Sequence, residues 1–130
     1  MIALDTNVLV RFLVKDDLDQ ALRAEECIAC LTEDEPGFVA REVLLELVWV
    51  LAKAYAYSRS EIAAALEGLL AAVELEVEDA DVLGAILHLY ALDGYDFADV
   101  MIRQIGVVRG TARMVTFDAR AARLEGVVLL

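Results

Sequence analysis

The stretch Met1-Ile2-Ala3-Leu4-Asp5-Thr6-Asn7 decides how the rest of the chain is read. Ile2 and Leu4, with small Ala3 between them, predict a short buried strand. Asp5 stops that apolar run, and Asp-Thr-Asn is turn and cap chemistry leading into Val8-Leu9-Val10. A carboxylate is thereby delivered at the C-terminal end of the first strand, the edge at which open α/β sheets bind ligands. Asp5 on its own also reads as a plain helix cap.

Working outward, Asp16-Asp17-Leu18-Asp19 is an acidic helix start, with apolar positions recurring to Leu31. Pro36-Gly37 is a turn before a very short strand, Phe38-Val39-Ala40. A long apolar helix follows from Arg41 to about Tyr57, with Val43, Leu44, Leu47, Val48, Val50 and Leu51 on its buried face. Ser58-Arg59-Ser60-Glu61 fits a capping box that opens the next helix, reaching roughly Val73. Leu75-Glu76-Val77 alternates as a strand does. Asp79 is expected to cap a helix to Leu92 that Gly94 ends, and Asp96 to cap another closing at Gly110. Arg113 to Thr116 is a strand running into Phe117-Asp118, and Val127 to Leu130 is the last strand. The order β-α-β-α-α-β-α-α-β-α-β implies a single three-layer α/β domain over residues 1–130, a mostly parallel central sheet flanked by helices.

Composition narrows the class. The chain is 60% hydrophobic with one proline and seven glycines, as expected of a helix-rich globular protein. Its apolar runs, such as Leu47 to Ala52, are too short to span a membrane, and no signal peptide opens it, so a cytoplasmic protein is expected. Cys27 and Cys30 stand inside an expected helix without further cysteines and read as small core-facing residues. The only histidine, His88, reads as helix packing, which disfavours a triad or a zinc enzyme. A net charge of −12 argues against nucleic-acid binding by bulk electrostatics. Residues 101–130 are the exception, with Arg103, Arg109, Arg113, Arg120 and Arg123 against Asp118 and Glu125. That basic stretch suits either steering of a phosphate backbone or ordinary helix surface.

Four places carry acids that a parallel sheet would gather at one edge. Asp5 and Asp118 follow strands. Asp96 and Asp99 share the first turn of one helix at spacing three, and Glu46 interrupts the apolar run of the long helix. Caps and solvated faces explain each singly: Asp96 is a good N-cap, and Glu46 shares a stripe with Glu42, Trp49 and Lys53. Gathered carboxylates repel unless a cation neutralises them, and an all-oxygen set without His or Cys selects Mg²⁺ or Mn²⁺. Such ions activate water for attack on a phosphodiester.

In these residues the sequence resembles the PIN-domain family, and more narrowly the VapC-type toxin ribonucleases of toxin–antitoxin pairs. The resemblance rests on Ile2 to Leu9, Glu46-Leu47, Asp96-Phe97-Ala98-Asp99 and Val115-Thr116-Phe117-Asp118, in the family's order. It implies a PIN-like fold and a Mg²⁺- or Mn²⁺-dependent endoribonuclease acting on RNA. It also implies a homodimer and inhibition by a cognate antitoxin protein; in so hydrophobic a chain the apolar helix faces of residues 41–73 are the expected dimer contact. Asp5, Glu46, Asp99 and Asp118 match the family's acidic quartet, the catalytic and metal-holding set. Asn7 and Thr116 match the polar residues beside Asp5 and Asp118, and Asp96 is then the cap of the helix that presents Asp99. Two departures stand out: Arg103 where many relatives carry a small residue, and no further Asp-Phe pair after Asp118. A haloacid-type phosphatase would need a second Asp where Asn7 stands, and a receiver domain would need a late strand-end Lys. The remaining alternative is a catalytically inactive PIN-like module that only binds RNA or protein.

Overall fold

The computed structural model describes residues 1–130 as a mixed α/β protein, its parallel strands carried in two sheets and flanked by helices. The chain divides into two compact units, Met1–Ala80 and Asp81–Leu130.

In the first unit, β1 (Ile2–Ala3), β2 (Gly37–Val39) and β3 (Leu75–Val77) form a parallel sheet in the order β1-β2-β3. Ile2 pairs with Gly37, and Val39 with Val77, so all three strands end at one edge. Each crossover is a helix pair: α1 (Thr6–Val14) and α2 (Leu18–Ala29), then α3 (Arg41–Lys53) and α4 (Arg59–Ala71). Parallel strands require such long connections, since the chain must travel back to the same end of the sheet. Leu9, Val39, Leu47, Leu51 and Ile62 are wholly buried and make up the centre of the core. Gly37 is tightly enclosed: a Cβ there would lie 2.8 Å from Leu31 Cδ1 and 2.9 Å from Leu4 Cδ1.

The expected capping box opens α4, with Glu61 N–H donating to Ser58 Oγ and Ser58 N–H to Glu61 Oε1. The start of α3 has no such local cap, because Ala40 lacks an acceptor. Glu78, from the loop after β3, accepts from the Arg41 N–H at 3.2 Å instead. The Arg41 guanidinium in turn donates to Asp79 at 2.8 Å. A side chain distant in sequence thus supplies the missing acceptor and ties two strand ends together.

Several expectations are corrected. β1 is an exposed edge strand, paired only with β2; Ile2 is 48% exposed, and Leu4 alone is buried. The first crossover holds two helices, not one, because Asp5 opens α1 directly. Cys30 is exposed at the C-cap of α2, beyond the face that Ala21, Ala24 and Ile28 bury.

The second unit carries α5 (Ala80–Ala91), α6 (Phe97–Val108) and a two-stranded parallel sheet, β4 (Met114–Thr116) with β5 (Val127–Leu129). Leu83, Ile86 and Val100 are buried, and Tyr90 meets Phe97 edge to face at a centroid distance of 5.6 Å. Gly94 and Gly110 take φ of +75° and +84° after the helices they follow, as the sequence predicts. Asp79 does not cap α5: its φ is +55°, outside the extended region that caps adopt, and its carboxylate is held by Arg41. His88 is exposed on α5, not packed in it. Between β4 and β5 there is a single 3-10 turn, Ala121–Arg123, in place of the expected helix.

Candidate functional site

Asp5 follows β1 and has the extended backbone of an N-cap, with φ −78° and ψ 157°. Its Oδ1 accepts from the Thr6 N–H at 2.8 Å, leaving Oδ2 uncommitted and the side chain in solvent. Thr6 is the one buried polar residue, 3% exposed, and its Oγ1 has no hydrogen-bond partner. An unmet buried hydroxyl costs about 1–3 kcal/mol, so a polar cost is borne beside Asp5. Asn7 is exposed one residue on and lines a cleft of about 280 Å³ together with Arg11, Gln20 and Arg23. Glu46 lies on the exposed stripe of α3 with Glu42, Trp49 and Lys53, and forms no hydrogen bond or ion pair.

In the second unit the charges of Asp96 and Asp118 both act on Asp99. Asp96 caps α6, its Oδ1 accepting from the Asp99 N–H at 3.1 Å. Asp118 follows β4, and its Oδ1 accepts from the Arg120 and Ala121 N–H groups at 2.8 and 3.2 Å. The Asp118 N–H donates to Thr116 Oγ1 at 3.0 Å, which fixes where the carboxylate leaves the strand. The Tyr95 hydroxyl donates to the Arg123 carbonyl at 3.1 Å, stapling the approach to α6 onto the turn that Asp118 opens. Nothing in the sequence marks Tyr95 for this part; its partner is a backbone carbonyl that side-chain patterns do not reveal.

The electrostatic result falls on Asp99. Partial burial, then the neighbouring charges of Asp96 and Asp118, push its carboxyl above the usual aspartate range. With the folded-state value above the unfolded one, ionised Asp99 opposes folding. Its destabilising effect is absent below the unfolded value of 3.8, grows as pH rises through the raised value, and is constant above it. Asp99→Asn is therefore expected to stabilise the metal-free protein at neutral pH by less than about 1 kcal/mol, given solvent screening, and to leave it unchanged at pH 3. Urea titrations at the two pH values check this; equal shifts at both would contradict it.

No three or more His, Cys, Asp or Glu side chains are already grouped as a metal cage. The donor chemistry of the second unit nonetheless fits a hard cation: only carboxylate oxygens, each aspartate with an oxygen that no backbone donor takes, and mutual repulsion that positive charge relieves. Asp5 and Glu46 belong to the first unit, and Asp96, Asp99 and Asp118 to the second.

The family model of the PIN domain matches residues 2–127, through both units. No curated protein matches the chain.

Proposed function

The chain belongs to the PIN domain family, whose members are generally metal-dependent nucleases, and on that premise we propose that it is a Mg²⁺- or Mn²⁺-dependent endoribonuclease, the toxin of a type II toxin–antitoxin pair. The observation that carries the reading is the match to the PIN family over residues 2–127. The raised carboxyl of Asp99, held up first by partial burial and then by the charges of Asp96 and Asp118, is in keeping with it. Fixing like charges together is unfavourable in a purely structural role and useful where a cation is to be held.

In this reading Asp5, Glu46, Asp99 and Asp118 are the ligands. Asp96 holds the first turn of α6 so that Asp99 is presented, and Thr116 sets the direction of Asp118 through its hydroxyl. Asn7, just past the cap formed by Asp5, contributes a neutral polar contact. A bound Mg²⁺ or Mn²⁺ would supply an activated water and charge stabilisation at the leaving oxygen. The acids themselves would orient the ion and repel RNA that arrives without one.

The partners are proposals of the same kind. Trp49, 63% exposed on α3, is an aromatic anchor of the sort that homodimer interfaces bury. A cleft of about 390 Å³ in the first unit, lined by Phe12, Leu13, Ile28, Ala64 and Leu69, suits the apolar face of an antitoxin helix. No helix is long and apolar enough to cross a membrane, and a cytoplasmic location is consistent with this.

Purified protein is expected to cleave a structured RNA internally in Mg²⁺ or Mn²⁺ and to lose that activity in EDTA. Cleavage at an equal rate in EDTA would overturn the mechanism. An inert protein that still binds RNA would favour the binding-module reading. For the toxin assignment, the adjoining reading frame should encode a small protein that forms a complex with this chain and suppresses cleavage; its absence would remove that part.

A further inference from the structure

Phe117 is the most exposed large apolar side chain of the molecule, at 84%. It stands between two residues that are fixed. Thr116 is the last residue of β4, and its carbonyl accepts from the Leu130 N–H at 2.8 Å. Asp118 is held on both sides, its N–H on Thr116 Oγ1 and its carboxylate on the Arg120 and Ala121 N–H groups. The backbone that carries the ring is thus set before any ligand arrives, which lowers the ordering cost of binding. An aromatic ring kept in water gives up the gain of burial unless something covers it in use.

The surrounding charge points to what covers it. Arg11, Lys15, Arg23 and Arg41 of the first unit are each paired with an acid of that unit. Arg109, Arg113, Arg120 and Arg123 of the second unit are exposed and paired with no acid, in a chain whose net charge is −12. Arg120 and Arg123 stand on the turn that Asp118 caps, three and six residues beyond Phe117. An exposed ring followed within six residues by two exposed, unpaired arginines suits the way proteins hold single strands: bases stack on the ring, and guanidinium groups meet the phosphates.

We propose that Phe117 is a base-stacking residue for single-stranded RNA, with Arg120 and Arg123 as phosphate contacts, so that an unstacked nucleotide is held beside Asp118. This rests on the RNA-directed reading above and adds to it the residues that would hold the strand, a base on the ring and phosphates on the two guanidinium groups. A second copy of the chain is the competing occupant of the ring, since Val115 and Val128 are register partners and also exposed.

The test is binding of a single-stranded octaribonucleotide in Ca²⁺, with intact strand verified on a gel, for wild type and for Phe117→Ala, Phe117→Leu and Phe117→Trp. Loss of one stacked base is expected to weaken binding roughly 5- to 100-fold in both the Ala and the Leu variants, since leucine restores apolar area but no π-face. Trp is expected to keep the affinity, and on a Trp49→Phe background its fluorescence should be quenched by RNA. Arg120→Gln and Arg123→Gln should each lower the slope of log affinity against log salt by about 0.7. Wild-type affinity in the Ala and Leu variants, or no RNA binding by wild type, would overturn the proposal. So would a loss that sedimentation traces to a changed oligomeric state, which would assign the ring to a second copy. The two readings fail separately: protein that binds RNA through Phe117 but cleaves none loses the nuclease mechanism and keeps the stacking residue.

Discussion

Asp99→Asn is expected to lower Mg²⁺-dependent RNA cleavage by on the order of 100-fold or more, the scale on which metal sites respond when their coordination is disturbed. Asp96→Asn is expected to keep most of the activity. The two residues share one turn of α6, yet their surroundings differ. Asp96 is exposed and spends Oδ1 on the Asp99 N–H. Asparagine caps a helix about as well as aspartate, so that exchange changes little. Asp99 is partly buried, makes no cap, and bears the field of two other carboxylates. Removing its charge is expected to ease the metal-free protein and, with Asp99 a ligand as proposed, to take away a metal contact in the same step. Asp96→Ala completes the set: it deletes the cap and should cost about 0.5–2 kcal/mol of stability, with activity falling only as far as α6 frays. Cleavage rates and melting curves of the three variants check this. If Asp96→Asn is inactive and Asp99→Asn active, the ligand has been placed one helical turn away from its true position.

The cap at Asp96 is legible in the sequence, because capping is local chemistry. Ser58 with Glu61, Asp96 three residues ahead of Asp99, and glycines after helix ends are all written within a few positions of where they act. What stayed illegible depends on distant partners or on limits of length. In α1, Val8, Val10 and Val14 weaken the helical signal. The helix forms because it packs on α2 and α3, with Leu9 wholly buried. Asp79 looks like a cap in sequence but is claimed by Arg41, thirty-eight residues away. The alanines and arginines after Asp118 suggest a helix, yet only residues 117–126 join β4 to β5, less than a helical crossover ordinarily takes. The exposed position of Ile2 follows from strand order, and no residue near it encodes that order.

The same contrast decides the role of Asp5, the residue from which the chain is first read. As a cap it needs only an acceptor for the Thr6 N–H, and asparagine provides one. As a metal ligand it needs its charge. Asp5→Asn is therefore expected to melt within a degree or two of wild type in EDTA. In 10 mM Mg²⁺ wild type should gain about 1.4 kcal/mol if the ion binds with a dissociation constant near 1 mM, because only a ligand that prefers the folded state shifts its stability. For a chain of this length that is a rise of roughly 3–6 °C. The asparagine variant should show little or none of it. Asp5→Ala loses acceptor and charge together, so it should fall by about 1 kcal/mol in EDTA and also fail to respond to the ion. Two melting curves for each of three proteins separate the roles. A cap alone predicts that alanine is destabilised and that all three respond equally to Mg²⁺. A ligand predicts that both variants lose the response, while only alanine loses stability in EDTA. Should Asp5→Asn respond to Mg²⁺ as wild type does, the carboxylate after β1 serves the helix and not a metal.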